Sequence, residues 1–239
     1  MIQDVSAMIR KEWVEFFRQE GGRFFGIARL GILAVLGLVV SQVVGPDFGR
    51  SSITPIVSAL LAVLFILPVV GDSFAGEREH HTLETLLASR ISDRGLLLGK
   101  IIANVLYGWS IAIAVTGVGV VLGVLRGGGA DARVLLAAAA ASLLAAALVT
   151  VVGVLVSLHV PTGRRASETL AMIVIAAMLV PAMVGALIPP EWSETFEGYV
   201  PTELTPEVVF LGVAQVLVLI AVLTAVAHLR CQRGRLVED

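Results

Sequence analysis

The apolar residues of this chain fall in long uncharged blocks, at 30–46, 51–71, 101–125, 134–158, 169–190 and 208–227. A helix crossing a bilayer core of about 30 Å needs roughly 20 mostly apolar residues. Five of the blocks reach that length, and the first does so once Ile27–Arg29 are added. An outer-membrane barrel would show short alternating segments instead. The pattern predicts an all-α polytopic membrane protein in one domain over 1–239, with six transmembrane helices. They are placed at about 27–46, 53–74, 97–125, 134–159, 169–189 and 208–229.

Ahead of the first block the period changes. Val5, Met8, Ile9, Trp13, Phe16 and Phe17 recur every three or four residues, while Arg10, Lys11, Glu15 and Arg18 occupy other faces. That spacing predicts an amphipathic helix over 4–20, lying in the headgroup layer or packed on other protein. Gly21-Gly22 then gives a corner into the first span.

Composition agrees with the pattern. Hydrophobic residues make up 57% and charged ones 15%, against about 45–50% and 25% in soluble domains. The single cysteine, Cys231, excludes a disulfide-built domain. Charge distribution sets orientation. Of 17 Lys and Arg, only Arg50, Arg126 and Arg133 fall on one side, and that side also carries the acidic 189–207 connection. Both termini are therefore expected in the cytoplasm, with the chain in the cell (inner) membrane. Signal-peptide cleavage is not expected, because the first apolar run starts late and has no small-x-small site.

The outer connections Gly45-Pro46-Asp47 and Gly127-Gly128-Gly129 read as tight turns. The longer 189–207 connection mixes Trp192, Phe196 and Tyr199 with five glutamates. It is a solvated loop, an interfacial aromatic segment, or short helices dipping between spans. Gly119-x-x-x-Gly123 and the alanine runs allow close helix approach, and Pro68 and Pro181 are expected to kink their spans.

Catalytic chemistry has little to stand on. Arg29, Asp72, His159 and His228 lie near span ends, where they snorkel to water, and no midplane carboxylate suggests ion coupling. Gly-x-Ser-x-Gly and His-Glu-x-x-His are absent. His80 and His81, being adjacent, point about 100° apart on a helix and build no common metal site. Gly95-Leu-Leu-Leu-Gly99-Lys100-Ile101 has three residues between glycines where a phosphate-binding loop needs four, and Ile in place of Ser or Thr.

The connection between spans 2 and 3 is the informative one. It predicts a short amphipathic helix with Leu83, Leu86 and Leu87 on one face and Glu79, Thr82, Glu84 and Arg90 elsewhere. Ser92-Asp93 then caps the helix leading into span 3. Such a helix is either a docking surface for a soluble partner or an interfacial helix with none.

The run Phe74-Ala-Gly-Glu-Arg-Glu79, then Thr82-Leu-Glu-Thr-Leu-Leu-Ala-Ser89, then Ile91-Ser92, then Leu96-Leu-Leu-Gly-Lys100, resembles the signature of ABC-2 type transporter permeases. Arg90 stands where the family usually has Pro, and His81 where it has Gly. The resemblance implies a membrane permease subunit of an ABC exporter. It implies two copies of a separate ABC ATPase and a second permease copy, as homodimer or heterodimer. Transport would run between the copies along spans 1, 2 and 5. ATP and magnesium would be bound by the ATPase, with no cofactor, metal or catalytic residue in this chain. The segment between spans 2 and 3 would be the cytoplasmic coupling helix, docking through Glu77, Arg78, Glu79, Thr82, Leu83, Glu84, Leu86 and Leu87. The N-terminal helix would be the elbow, with Arg10, Lys11, Glu12 and Trp13 near the ATPase. No nucleic acid partner is expected. The alternative is an ATP-driven module that transmits force, or supports assembly of an extracytoplasmic partner at 189–207, without moving a solute.

Overall fold

The computed structural model describes residues 2–18, 22–79, 92–187 and 206–230. Among these residues are seven α-helices and no strand: α1 (Ile2–Arg18), α2 (Gly22–Val44), α3 (Thr54–Glu79), α4 (Asp93–Leu125), α5 (Ala132–His159), α6 (Gly163–Leu187) and α7 (Pro206–Arg230). A 3-10 turn, Pro46–Arg50, joins α2 to α3. Among the described residues, four helices are long and apolar enough to cross a membrane: α3, α4 from Arg94, α5, and α7 over Gly212–Leu229. The described part of α2 adds the apolar stretch Gly31–Val44, and α6 opens on Arg164, Arg165 and Glu168. The 189–205 part of the last connection and the predicted helix over 80–91 lie outside the described residues.

Local chemistry explains the boundaries. α2 stops at Gly45, whose φ of 98° suits a residue without Cβ. The Ser92 hydroxyl accepts from Gly95 N at 3.2 Å and starts α4, as the sequence predicts. α4 ends where Gly127 turns to φ 89°. Asp131 Oδ1 accepts from Arg133 N at 2.8 Å and starts α5. Pro161 forces Val160 into extended backbone, so α5 ends at His159. Pro68 and Pro181 lie within α3 and α6, which each run on as one helix past them.

One element is longer than predicted. α3 does not end near residue 74 but continues through Gly76 to Glu79. Neighbouring helices hold this last part, which the apolar pattern alone does not reveal.

α3 is the centre of the bundle, packed along α5 and also against α4 and α6. α2 packs on α4, α7 on α5, and α1 on the start of α4. Ile66, Val70, Phe74, Leu97, Val154 and Leu170 form the middle of the core. The outer faces of α2 and α7 stay apolar and bare: Val43 is 81% exposed and Val218 64%. Bare aliphatic surface on this scale suits lipid and would be a liability in water.

At the end of the bundle that carries Phe48, two turns dock on each other. Asp131 N donates to Gly49 O at 2.9 Å, and Gly129 N donates to Asp47 Oδ1 at 3.3 Å. Thr54 Oγ1 donates to Phe48 O. Phe48 is fully buried, and Gly119 lies so close to its ring that a Cβ would sit 3.1 Å from it. A Cβ on Gly123 would be 2.6 Å from Pro46 O. The Gly119–Gly123 pair therefore packs within one chain, against the 3-10 turn.

Candidate functional site

The opposite end, where α1 meets α3 and α4, concentrates the charge. Lys100 lies two turns into α4 with its side chain only 2% exposed. Its ammonium has three protons to donate and faces three acceptors: Glu12 Oε1 at 3.0 Å, Glu77 Oε1 at 3.0 Å, and Ser73 O at 2.6 Å. Lys11 adds a second cation, 2.8 Å from Glu77 Oε1. The Phe74 ring lies 5.2 Å from the Lys100 ammonium, within cation–π range. Among the described residues the cluster pairs two ammoniums with two carboxylates, and such pairing is how buried charge is tolerated.

The sequence places Lys100 among the cations of a connection. The structure turns it into the bundle instead, between α1 and the end of α3. Helical periodicity is the reason: Lys100 shares a face of α4 with the buried residues Leu96, Leu97 and Asn104.

The predicted docking residues separate into two groups. Glu12 is 7% exposed and committed to Lys100, so it is turned inward and not toward a soluble partner. Lys11 and Glu77 belong to the same cluster. Arg78 donates to Leu158 O at 3.1 Å, and Glu79 Oε2 accepts from Gly163 N at 3.2 Å, tying α3 to the α5–α6 turn. Trp13 is half-buried, while Arg10 and Glu79 are exposed. Thr82, Leu83, Glu84, Leu86 and Leu87 lie outside the described residues.

One turn before the cluster, α3 is gripped by a residue that sequence reasoning missed. The buried Ser157 hydroxyl of α5 accepts from Phe74 N at 3.0 Å and Ala75 N at 2.8 Å, and donates to Gly71 O at 3.1 Å. It uses its one donor and both acceptor sites. A Cβ on Gly71 would be 2.7 Å from Ser167 N of α6, so only glycine allows this approach. A lone serine in an apolar run carries no sequence signal for such a role. Nearby, the Ser73 hydroxyl and both polar atoms of Asn104 are buried without a hydrogen-bond partner.

Ahead of the apolar part of α6, Glu168 accepts from Arg164 at 2.8 Å. That hydrogen bond raises the guanidinium pKa above its ordinary value. Between α3, α5 and α6 lies an apolar groove of about 490 Å³, lined by residues including Ile56, Leu60, Val149, Leu170 and Ile173.

These features amount to a polar joint at one end of an apolar bundle. A family model described as ABC-2 family transporter protein matches residues 2–229. The chain belongs to the ABC-2 transporter family. No curated protein matches the sequence. The match runs from α1 into α7, so the joint of this ABC-2 permease lies inside the family's domain. Membership makes the chain the membrane component of an ABC transporter and implies an ABC ATPase as its partner.

Proposed function

We propose that this ABC-2 permease forms the translocation path of an exporter as a dimer, homomeric or with a related permease, driven by two separate ATPase subunits. The family match carries this reading. The sequence supports it by lacking a phosphate-binding loop, so hydrolysis is supplied in trans. α2 through α7 are its six spans, in the inner membrane, with both termini cytoplasmic. The path runs along α2, α3 and α6. ATP and magnesium belong to the ATPase.

The coupling segment extends from Glu77 to Leu87, with Leu83, Leu86 and Leu87 as its apolar contact. Glu79 and Arg10 supply polar contacts at the surface. Lys11, Glu12 and Glu77 support that surface from behind, because Glu12 and Glu77 are engaged with Lys100, and Lys11 with Glu77.

The double variant Leu86→Asp/Leu87→Asp tests the assignment. It is expected to lose co-purification of the ATPase while remaining monodisperse in detergent. Retention of the ATPase at wild-type level would refute the docking assignment.

A further inference from the structure

The end of α3 is attached on two sides by bonds of different kinds. On one side, Lys100, Lys11, Glu12 and Glu77 join it to α1 and the start of α4 through charge-assisted bonds of 2.8–3.0 Å, buried at Lys100 and part-buried at Lys11. On the other, Arg78 to Leu158 O and Glu79 to Gly163 N join it to the α5–α6 turn through single, part-buried bonds to backbone groups. All of these bonds have an ionised partner, but the Lys100 ammonium makes three of them while only 2% exposed, whereas Arg78 and Glu79 make one part-buried bond each. Parting the ionic side would leave the Lys100 ammonium buried without partners, which is costly. A displacement of the α3 end therefore opens the α5–α6 side first.

The turn Gly71–Ala75 is where such a movement would bend the helix. Ser157 reaches the N–H groups of Phe74 and Ala75 and the carbonyl of Gly71. Those same groups bond within an uninterrupted helix, in the i to i−4 pattern. The Ser157 hydroxyl thus shares these groups with the helical ladder of α3, which is continuous over Thr54–Glu79, and a side chain reaching into that ladder is a recognised cause of bending.

We infer that Ser157 is a positioning residue at a pivot: α1, the end of α3 and the start of α4 move as one block against α5 and α6, hinged at Gly71–Ala75. The inference rests on the proposed docking only for what drives the movement. A change of about 20° over the six residues to Glu79, about 9 Å of helix, displaces its end by about 3 Å.

Spin-label distance measurements on the full chain in nanodiscs, without ATPase, test this in a Cys231→Ser background. One label pair, Val14→Cys with Arg165→Cys, crosses the joint; the other, Val14→Cys with Ile102→Cys, lies within the block. Ser157→Ala removes the hydroxyl and leaves Phe74 N and Ala75 N with the bonds of the helix alone. The cross-joint distribution is expected to shift or broaden by about 3 Å while the within-block distribution is unchanged. A cross-joint distribution superimposable on wild type, or within-block change of equal size, would overturn the pivot. Where Ser157→Ala is not monodisperse, Ser157→Gly, which also lacks the hydroxyl, is read by the same outcomes. Because no ATPase is present, failure of the docking assignment leaves this result readable.

Discussion

The two ends of the bundle are closed by different chemistry. At the Phe48 end, turns meet through backbone groups and glycines: Asp131 N on Gly49 O, and Gly123 against Pro46. At the Lys100 end, helices meet through side chains: four charges, a serine hydroxyl and an arginine on a carbonyl. Backbone joints hold one geometry, because planar peptide groups cannot rotate away from one another as side chains can. Side-chain joints can exchange acceptors as helices slide or bend. The Phe48 end is built as an anchor, and the Lys100 end as the part that can be driven.

The largest test of this contrast is Lys100→Met, which takes the buried cation away from Glu12 and Glu77. Breaking a buried pair by removing one partner costs about 3 kcal/mol or more. Thermal unfolding in detergent should show it, with recovery in Lys100→Met/Glu12→Gln, where the remaining Lys11–Glu77 pair is neutral. If the double variant melts no higher than the single one, the cluster is not coupled as described.

At the anchored end, Gly128→Ala puts a Cβ 2.0 Å from Pro46 O. Such overpacking is expected to cost about 2 kcal/mol, and urea or SDS titration would measure it. A destabilisation equal to that of Lys100→Met would erase the contrast between the ends. Asp131→Ala removes the α5 cap and should cost about 1 kcal/mol, read as earlier amide exchange confined to the first turn of α5.

The smallest effect belongs to the middle. Thr116→Val removes the 3.1 Å bond to Ser58 between α4 and α3, for about 0.6 kcal/mol, the average of such bonds in membranes. A loss several times larger would place a third joint midway along the bundle.

Much of the anchored end was legible in sequence. Gly45-Pro46 and the three glycines at 127–129 read as turns, and they are turns. Their mutual docking was not, because it joins residues about eighty positions apart. The helical class and the Ser92 cap also followed from local pattern. Lys100 shows where that reasoning stops. Counting loop cations assigns it by distance from the apolar block, yet its position depends on Glu12 and Glu77, from two other helices. Ser157 and Gly71 depend in the same way on helices that only the fold brings together.

The buried ammonium also bears on how the chain is made. A lysine carried into the bilayer on a nascent helix is costly, and Lys100 enters with α4. Both of its carboxylate partners precede it in the chain, so they have already left the ribosome when α4 is inserted. α1, although synthesised first, cannot take its final seat until α4 arrives with the cation that holds it. Docking of the N-terminal helix therefore marks the arrival of α4 in the bundle.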